Sequence, residues 1–302
     1  MNLKHYLGVV FKGICMGAAD VVPGVSGGTI AFLMGIYQEL IDSIRSVNAT
    51  AIKLFFSGKF AQFWKHINGN FLCSVFIGIL ISVFTLAKLM QFMLEFYPIH
   101  IWSFFFGLVL ASAIYILKGL DKWSFKNILS LFVGIGIAAF ICLASPAETP
   151  NEYWFIFLSG AIAICAMILP GISGSFILLL LGKYAFVMEA VSTLNIPVIS
   201  VFGCGAIVGI LSFSHFLGWL LKKFYMQTIA LLSGFMIGSL LKVWPWKNTG
   251  VVEGIDFPTD PFTYEQISGA PSLIGYSVIC ALFGLVLVFG IEYLAVKAQK
   301  NK

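Results

Sequence analysis

PGVSGGT at Pro23 to Thr29 and PGISGS at Pro170 to Ser175 each set a serine between glycines just behind a Pro-Gly pair. Gly24, Gly27 and Gly28 permit close approach and positive φ, so successive backbone N–H groups can form a concavity that holds an anion. Ser26 and Thr29 can cap the helix that follows and also donate hydroxyl hydrogen bonds. The start of that helix adds partial positive charge at the same spot. Gly171, Ser173, Gly174 and Ser175 offer the equivalent set from the second copy. These residue types point to oxyanion binding, and two such tips facing each other near a membrane midplane would make one pseudo-symmetric site.

Three ionisable residues stand near this chemistry. Lys88 and His215 occupy matching places in two apolar runs, KLM after FTLA and HFL after LSFS. A charge at membrane depth faces a cavity or a partner, so both are candidate ligands for an anionic headgroup; snorkelling for Lys88 and simple packing for His215 are the bland alternatives. Asp20 lies three residues before Pro23, where the second copy has Met167. That asymmetry suits coupling to H+ or Na+, or a structural partnership with Lys12 or Lys88. Glu39 and Glu189 read as interfacial.

The elements that position these residues follow from composition. The chain is 302 residues long, 60% hydrophobic and only 10% charged, far from the roughly one quarter charged of a soluble domain. Six runs, near 71–94, 101–117, 128–143, 198–221, 228–243 and 272–296, approach or exceed the ~17 to 25 apolar residues of a membrane span. The arms around each Pro-Gly motif are shorter: Tyr6 to Val22 and Thr29 to Asp42, then Tyr153 to Leu169 and Phe176 to Ser192. A broken hairpin of this kind suits a re-entrant loop, because irregular backbone persists in a bilayer only where protein or water satisfies it. Crossing fully twice would bring the hairpin back to the same side.

The two motifs align at an offset of 147, pairing Pro23 with Pro170, Ser26 with Ser173, Gly35 with Gly182 and Tyr37 with Tyr184. Downstream the offset is 127, pairing GLVLAS at Gly107 to Ser112 with GFMIGS at Gly234 to Ser239, Gly78 with Gly205, and Lys88 with His215. The chain therefore reads as all-α and polytopic, with two repeats, 1–146 and 147–302. The hairpins are 6–42 and 153–192, and each is followed by three transmembrane helices. A hairpin plus three spans makes an odd number of crossings, so the second repeat is expected to be inverted relative to the first. Basic residues agree: Arg45, Lys53, Lys59 and Lys65, then Lys118, Lys122 and Lys126, then Lys222 and Lys223, then Lys297, Lys300 and Lys302 all fall on one face if both termini are cytoplasmic. The other face takes Glu95, Glu148, Glu152, Glu253, Asp256, Asp260 and Glu265, with Lys242 and Lys247 as its bases.

Other classes find less support. The net charge of +5 is scattered over short loops, which argues against nucleic acid as a partner. The six cysteines show no C-x-x-C spacing and read as packing residues, with no metal site or cofactor expected. The first 19 residues look like a signal peptide, but Lys12 interrupts the apolar run and the second copy of the region is internal, so they are taken as mature structure. Ser43 to Asn70 mixes Lys, Phe and Trp and is expected to form an amphipathic helix on the cytoplasmic headgroups, with a substrate ramp as the sharper alternative. Lys247 to Pro271, rich in Gly, Pro and acids, is expected to be an external loop without chemistry.

PGVSGG, LPGISGS, the paired GLVLAS and GFMIGS, and Lys88 and His215 together resemble the PopT family of bacterial polyprenyl-phosphate transporters, over nearly the whole chain. The resemblance implies a multi-pass plasma-membrane flippase that returns undecaprenyl phosphate from the outer to the cytoplasmic leaflet by alternating access. Two alternatives stay open. Integral-membrane undecaprenyl-pyrophosphate phosphatases also use inverted repeats and a Pro-Gly-x-Ser motif. Their serine, however, precedes an arginine, whereas Gly27 and Gly174 stand there in this chain and Arg45 is the only arginine. A small-anion transporter would use the same oxyanion chemistry, and a homodimer is left open.

Overall fold

The computed structural model describes residues 3–20, 26–120, 123–252 and 255–300. In chain order, α1 (Leu3–Asp20) leads to the first tip, followed by α2 (Gly27–Leu33) and α3 (Tyr37–Arg45). Two short helices, α4 (Ala49–Phe56) and α5 (Phe60–His66), precede the long α6 (Gly69–Phe96), α7 (Pro98–Lys118) and α8 (Phe125–Leu143). The second hairpin comprises α9 (Tyr153–Ile168), α10 (Gly174–Leu180) and α11 (Tyr184–Ser192). Then come α12 (Ile196–Lys223), α13 (Tyr225–Gly238), a 3-10 turn at Ser239–Leu241, the strands β1 (Lys247–Val252) and β2 (Ile255–Pro258), α14 (Pro261–Ser268) and α15 (Ile274–Lys300).

This is a helical membrane protein. Among the described residues α6, α7, α8 and α12 are long and apolar enough to cross a bilayer. The runs expected at 228–243 and 272–296 fall on α13, which stops after 14 residues, and on α15, which has 27. Phe84, Phe132, Phe140, Ile207 and Phe283 point outward, as lipid-facing side chains should. Polar residues set the helix starts: Asn48 accepts from the N–H groups of Thr50 and Ala51, Ser124 from Asn127, and Asn195 from Val198.

Three expectations need correction. The second hairpin arms expected at Thr29 to Asp42 and Phe176 to Ser192 are not continuous: α2 and α3 part at Gly35 (φ +68°), and α10 and α11 part at Gly182 (φ +62°) with a bend of 111°. An L side chain is strained at such φ, so the paired glycines fix the break. Ser43 to Asn70 holds two short helices, broken at Gly58 (φ +69°), instead of one. Lys247 to Pro271 carries an antiparallel strand pair, with Lys247 opposite Pro258, and then α14, capped by Asp260 and closed by Gly269 at φ +68°.

The chain divides into two compact units that cut across the sequence halves: residues 1–88 with 147–225, and 89–146 with 226–302. The first unit holds both hairpins and the first long helix after each. The second holds α7, α8 and the elements after Tyr225. Within the first unit, a Cβ on Gly13 would collide with the Val75 carbonyl, and one on Gly160 with that of Phe202; Gly78 and Gly205 repeat the relation toward Val10 and Phe157. Within the second, Gly107 meets Ala281 as Gly234 meets Leu131. In the first unit the paired contacts are related by the offsets 147 and 127 seen in the sequence, whereas in the second Gly107 and Gly234 are 127 apart and their partners Leu131 and Ala281 are 150 apart.

Candidate functional site

Both tips lie in the first unit and touch each other. Asp20 ends α1, and its carboxylate accepts the Gly27 N–H at 2.6 Å. Residues 21–25, including Pro23 and Gly24, lie outside the described residues. Ser26 then caps α2 from extended backbone (φ −118°, ψ 133°), its Oγ accepting the Gly28 N–H at 3.0 Å. The same hydroxyl donates to the carbonyl of Met167 at 3.1 Å. Tyr37, buried at the start of α3, donates its hydroxyl to the Ile168 carbonyl at 3.1 Å. Carbonyls in the last turn of α9 have no partner in their own helix, and the first hairpin supplies two donors for them.

The traffic also runs the other way. Gly171, at φ +87°, donates its N–H to Thr29 Oγ at 2.9 Å, and Thr29 is fully buried. Gly28 fits because a Cβ there would come within 2.5 Å of the Ile168 carbonyl oxygen, and Gly27 because a Cβ would collide with Asp20. Gly27 and Gly28 therefore serve close approach inside α2, and among the described motif glycines only Gly171 uses positive φ.

The second tip is built differently. Ser173 occupies the equivalent extended position (φ −103°, ψ 134°) but makes no side-chain cap on α10. Its Oγ pairs instead with Ser175 Oγ at 2.8 Å. Gly174 sits against the Ala163 carbonyl, where a Cβ would come within 2.7 Å. One tip thus spends its hydroxyls on backbone, while the other keeps a hydroxyl pair. Tyr184, the copy of Tyr37, is 41% exposed where Tyr37 is 4%.

Lys88 and His215 fall in the same unit as the tips, on α6 and α12, and both are exposed. His215 Nδ1 lies 2.8 Å from the Leu211 carbonyl of its own helix. Among the described residues no hydrogen bond joins either side chain to a tip residue. Arg45 packs over Gly218 of α12. Two further lysines matter to the hairpins: Lys12, named above as a candidate partner for Asp20, and Lys183. Lys12 donates to the Met34 carbonyl at 2.8 Å, closing the end of α2 beside the Gly35 break. Lys183 is buried at the equivalent break and donates to the Thr149 carbonyl and to Asn151 Oδ1. Their only sequence signal is a base inside an apolar hairpin, and in Lys183 its place directly behind Gly182.

Residues 16–254, which include both tips, Lys88 and His215, match a family model described as undecaprenyl phosphate translocase-like. The chain belongs to that family. Relatives of this translocase-like chain include a polyprenyl-phosphate transporter of Vibrio cholerae, 44% identical over 97% of this chain and 98% of the relative. Another is a polyprenyl-phosphate transporter of Staphylococcus aureus, 36% identical over 80% of this chain and 88% of the relative. No solved structure matches the translocase-like chain.

Proposed function

We propose that this protein carries a polyprenyl phosphate such as undecaprenyl phosphate across the bacterial plasma membrane, from the outer to the cytoplasmic leaflet, with both termini cytoplasmic. The observation that carries the reading is the interlock of two duplicated tips by Ser26–Met167, Tyr37–Ile168 and Gly171–Thr29 bonds. Membership of the family and the names of both relatives support the lipid substrate. The phosphate is held by the hydroxyl and glycine groups of the tips, the Ser173–Ser175 pair foremost, with Lys88 and His215 supplying positive charge as the tips rearrange. The polyprenyl tail stays in apolar surroundings. No bond is broken.

Inverted repeats give alternating access a simple form. Two tips alike in sequence but unlike in hydrogen bonding are what a two-state exchange requires, since each state gives one tip the engaged role and the other the open one. In the opposite state Tyr184 becomes buried as Tyr37 is here, and Ser173 turns from Ser175 to cap α10. Asp20 sits at the first tip, where a charged carboxylate opposes an arriving phosphate, so binding of substrate and of a proton or Na+ at Asp20 favour each other. Asp20→Asn is expected to flatten the pH or Na+ dependence of transport while leaving substrate binding measurable. A phosphatase gains nothing from Ser26, whose hydroxyl is engaged with both Gly28 and Met167.

The test uses purified protein in liposomes containing undecaprenyl phosphate, with a membrane-impermeant phosphatase outside. Phosphate release that continues past the outer-leaflet fraction is expected. Release that stops at that fraction, with and without ion gradients, would rule out lipid transport, and release from the pyrophosphate lipid without added enzyme would favour the hydrolase.

A further inference from the structure

We infer that an apolar groove on the first unit is the berth of the transported lipid's isoprenoid tail, an assignment that rests on the transport reading above. The groove has a volume of about 440 Å³, and its walls include Trp64, Leu72, Cys73, Phe76, Ile79 and Ile210. That is the volume of a small-molecule site, but the walls are almost wholly apolar, and Cys73 and Phe76 are exposed to whatever surrounds the helices. Trp64 is a fixed wall. Its Nε1 donates to Asn70 Oδ1 at 2.8 Å, and its ring lies so close over Gly69 that a Cβ there would collide with it. The turn behind it is tied to α3 by Asn68, which donates to Glu39 Oε1 at 3.0 Å and to Ser43 Oγ at 3.2 Å.

Three features select a tail of the substrate as the occupant. From Gly69 to Ile79 the floor runs about 15 Å along α6, roughly half the thickness of the hydrocarbon core. It leads toward the tips. Ile79 is the residue on which Gly17 of α1 lies, and α1 ends at Asp20, bonded to Gly27. On the other wall, Ile210 adjoins Gly209, whose carbonyl accepts from Cys165 Sγ of α9 at 3.6 Å, three residues before Ile168. The groove is thus flanked by the first arms of both hairpins. Finally, Arg45, Lys53, Lys59, Lys65 and Lys88 of residues 43–94 outnumber the neighbouring acids Glu39, Asp42 and Glu95. The surrounding charge suits a lipid with an anionic head.

Cys73 makes the groove directly readable. In variants that retain only Cys73 or only Cys204, an exposed cysteine outside the groove, alkylation is followed in phosphatidylglycerol vesicles with and without undecaprenyl phosphate. Undecaprenyl phosphate is expected to slow Cys73 about tenfold and leave Cys204 unchanged. An unchanged Cys73 rate in protein that still transports would overturn the groove and leave the transport reading standing. Equal protection by phosphatidylglycerol alone would overturn it in favour of ordinary bilayer lipid. Failure of the native chain to transport in the same vesicles would remove both. Cys73→Trp, in the otherwise native chain, gives a second readout: it should raise the half-saturating concentration of the long-chain lipid about tenfold and spare a ten-carbon isoprenyl phosphate. Equal effects on both chain lengths would contradict a tail site.

Discussion

Thr29 shows how a residue chosen for one role can be put to another. Its sequence context marks it as a hydroxyl donor at a helix start, yet in the folded chain it is the buried acceptor for the Gly171 N–H, 142 residues away. Thr29→Val keeps the shape and removes the acceptor, leaving a buried N–H unpaired, which costs about 1 to 3 kcal/mol. The expected outcome is a lower unfolding temperature in detergent, whereas Ser175→Ala, which removes one member of a hydroxyl pair, should leave stability nearly unchanged and weaken substrate binding. The motif residues themselves were legible because Gly, Ser and Pro are conspicuous among Leu, Ile and Phe. Their partners were not, since Met167 and Ile168 act through main-chain carbonyls that any residue would supply.

At the level of the elements, the break between α2 and α3, and between α10 and α11, was hidden because hydrophobicity does not change across it. Only Gly35 and Gly182 mark it, and a glycine in an apolar helical run is often tolerated without a turn. Gly182→Ala forces a side chain into φ +62° against the Ala147 carbonyl and is expected to destabilise the hairpin by more than about 1 kcal/mol, read as earlier melting. The segment 247–271 shows the opposite limit. Its Gly, Pro and acidic composition resembles a plain loop, while the cap that orders α14 lies in one residue. Hydrogen bonds from the Thr263 hydroxyl, and then from the backbone N–H groups of Thr263 and Phe262, hold the Asp260 carboxyl below its usual range; the Ser272 hydroxyl and N–H do the same for Glu265. A carboxyl lowered on folding contributes stability above its unfolded pKa, about 4, and loses it as pH falls through the folded value. The protection factor of the α14 amides, with the intrinsic exchange rate divided out, should therefore be constant at neutral pH and fall only below about pH 4.

For the molecule as a whole, two sequence offsets suggest a duplication, and the close glycine contacts of the first unit, Gly13–Val75 with Gly160–Phe202 and Gly78–Val10 with Gly205–Phe157, recur at those offsets. The grouping of the elements was not readable, because compact units that draw on both halves depend on distant packing and leave no local mark. Transport by exchange of the two tips predicts that fastening them stops it. Ser26→Cys with Met167→Cys, in a background without native cysteines, should abolish phosphate release when oxidised and restore it on reduction; full activity while cross-linked would mean the tips do not part. The interleaved units also bear on biogenesis. Ser26 finds its carbonyl partner only at a residue 141 positions later, which at ~5 to 20 residues per second is on the order of ten seconds of translation. For that interval the first hairpin sits in the membrane with its mate unmade, so the nascent chain depends on the insertion machinery to shelter it, and the two halves supplied as separate polypeptides should still be able to find each other.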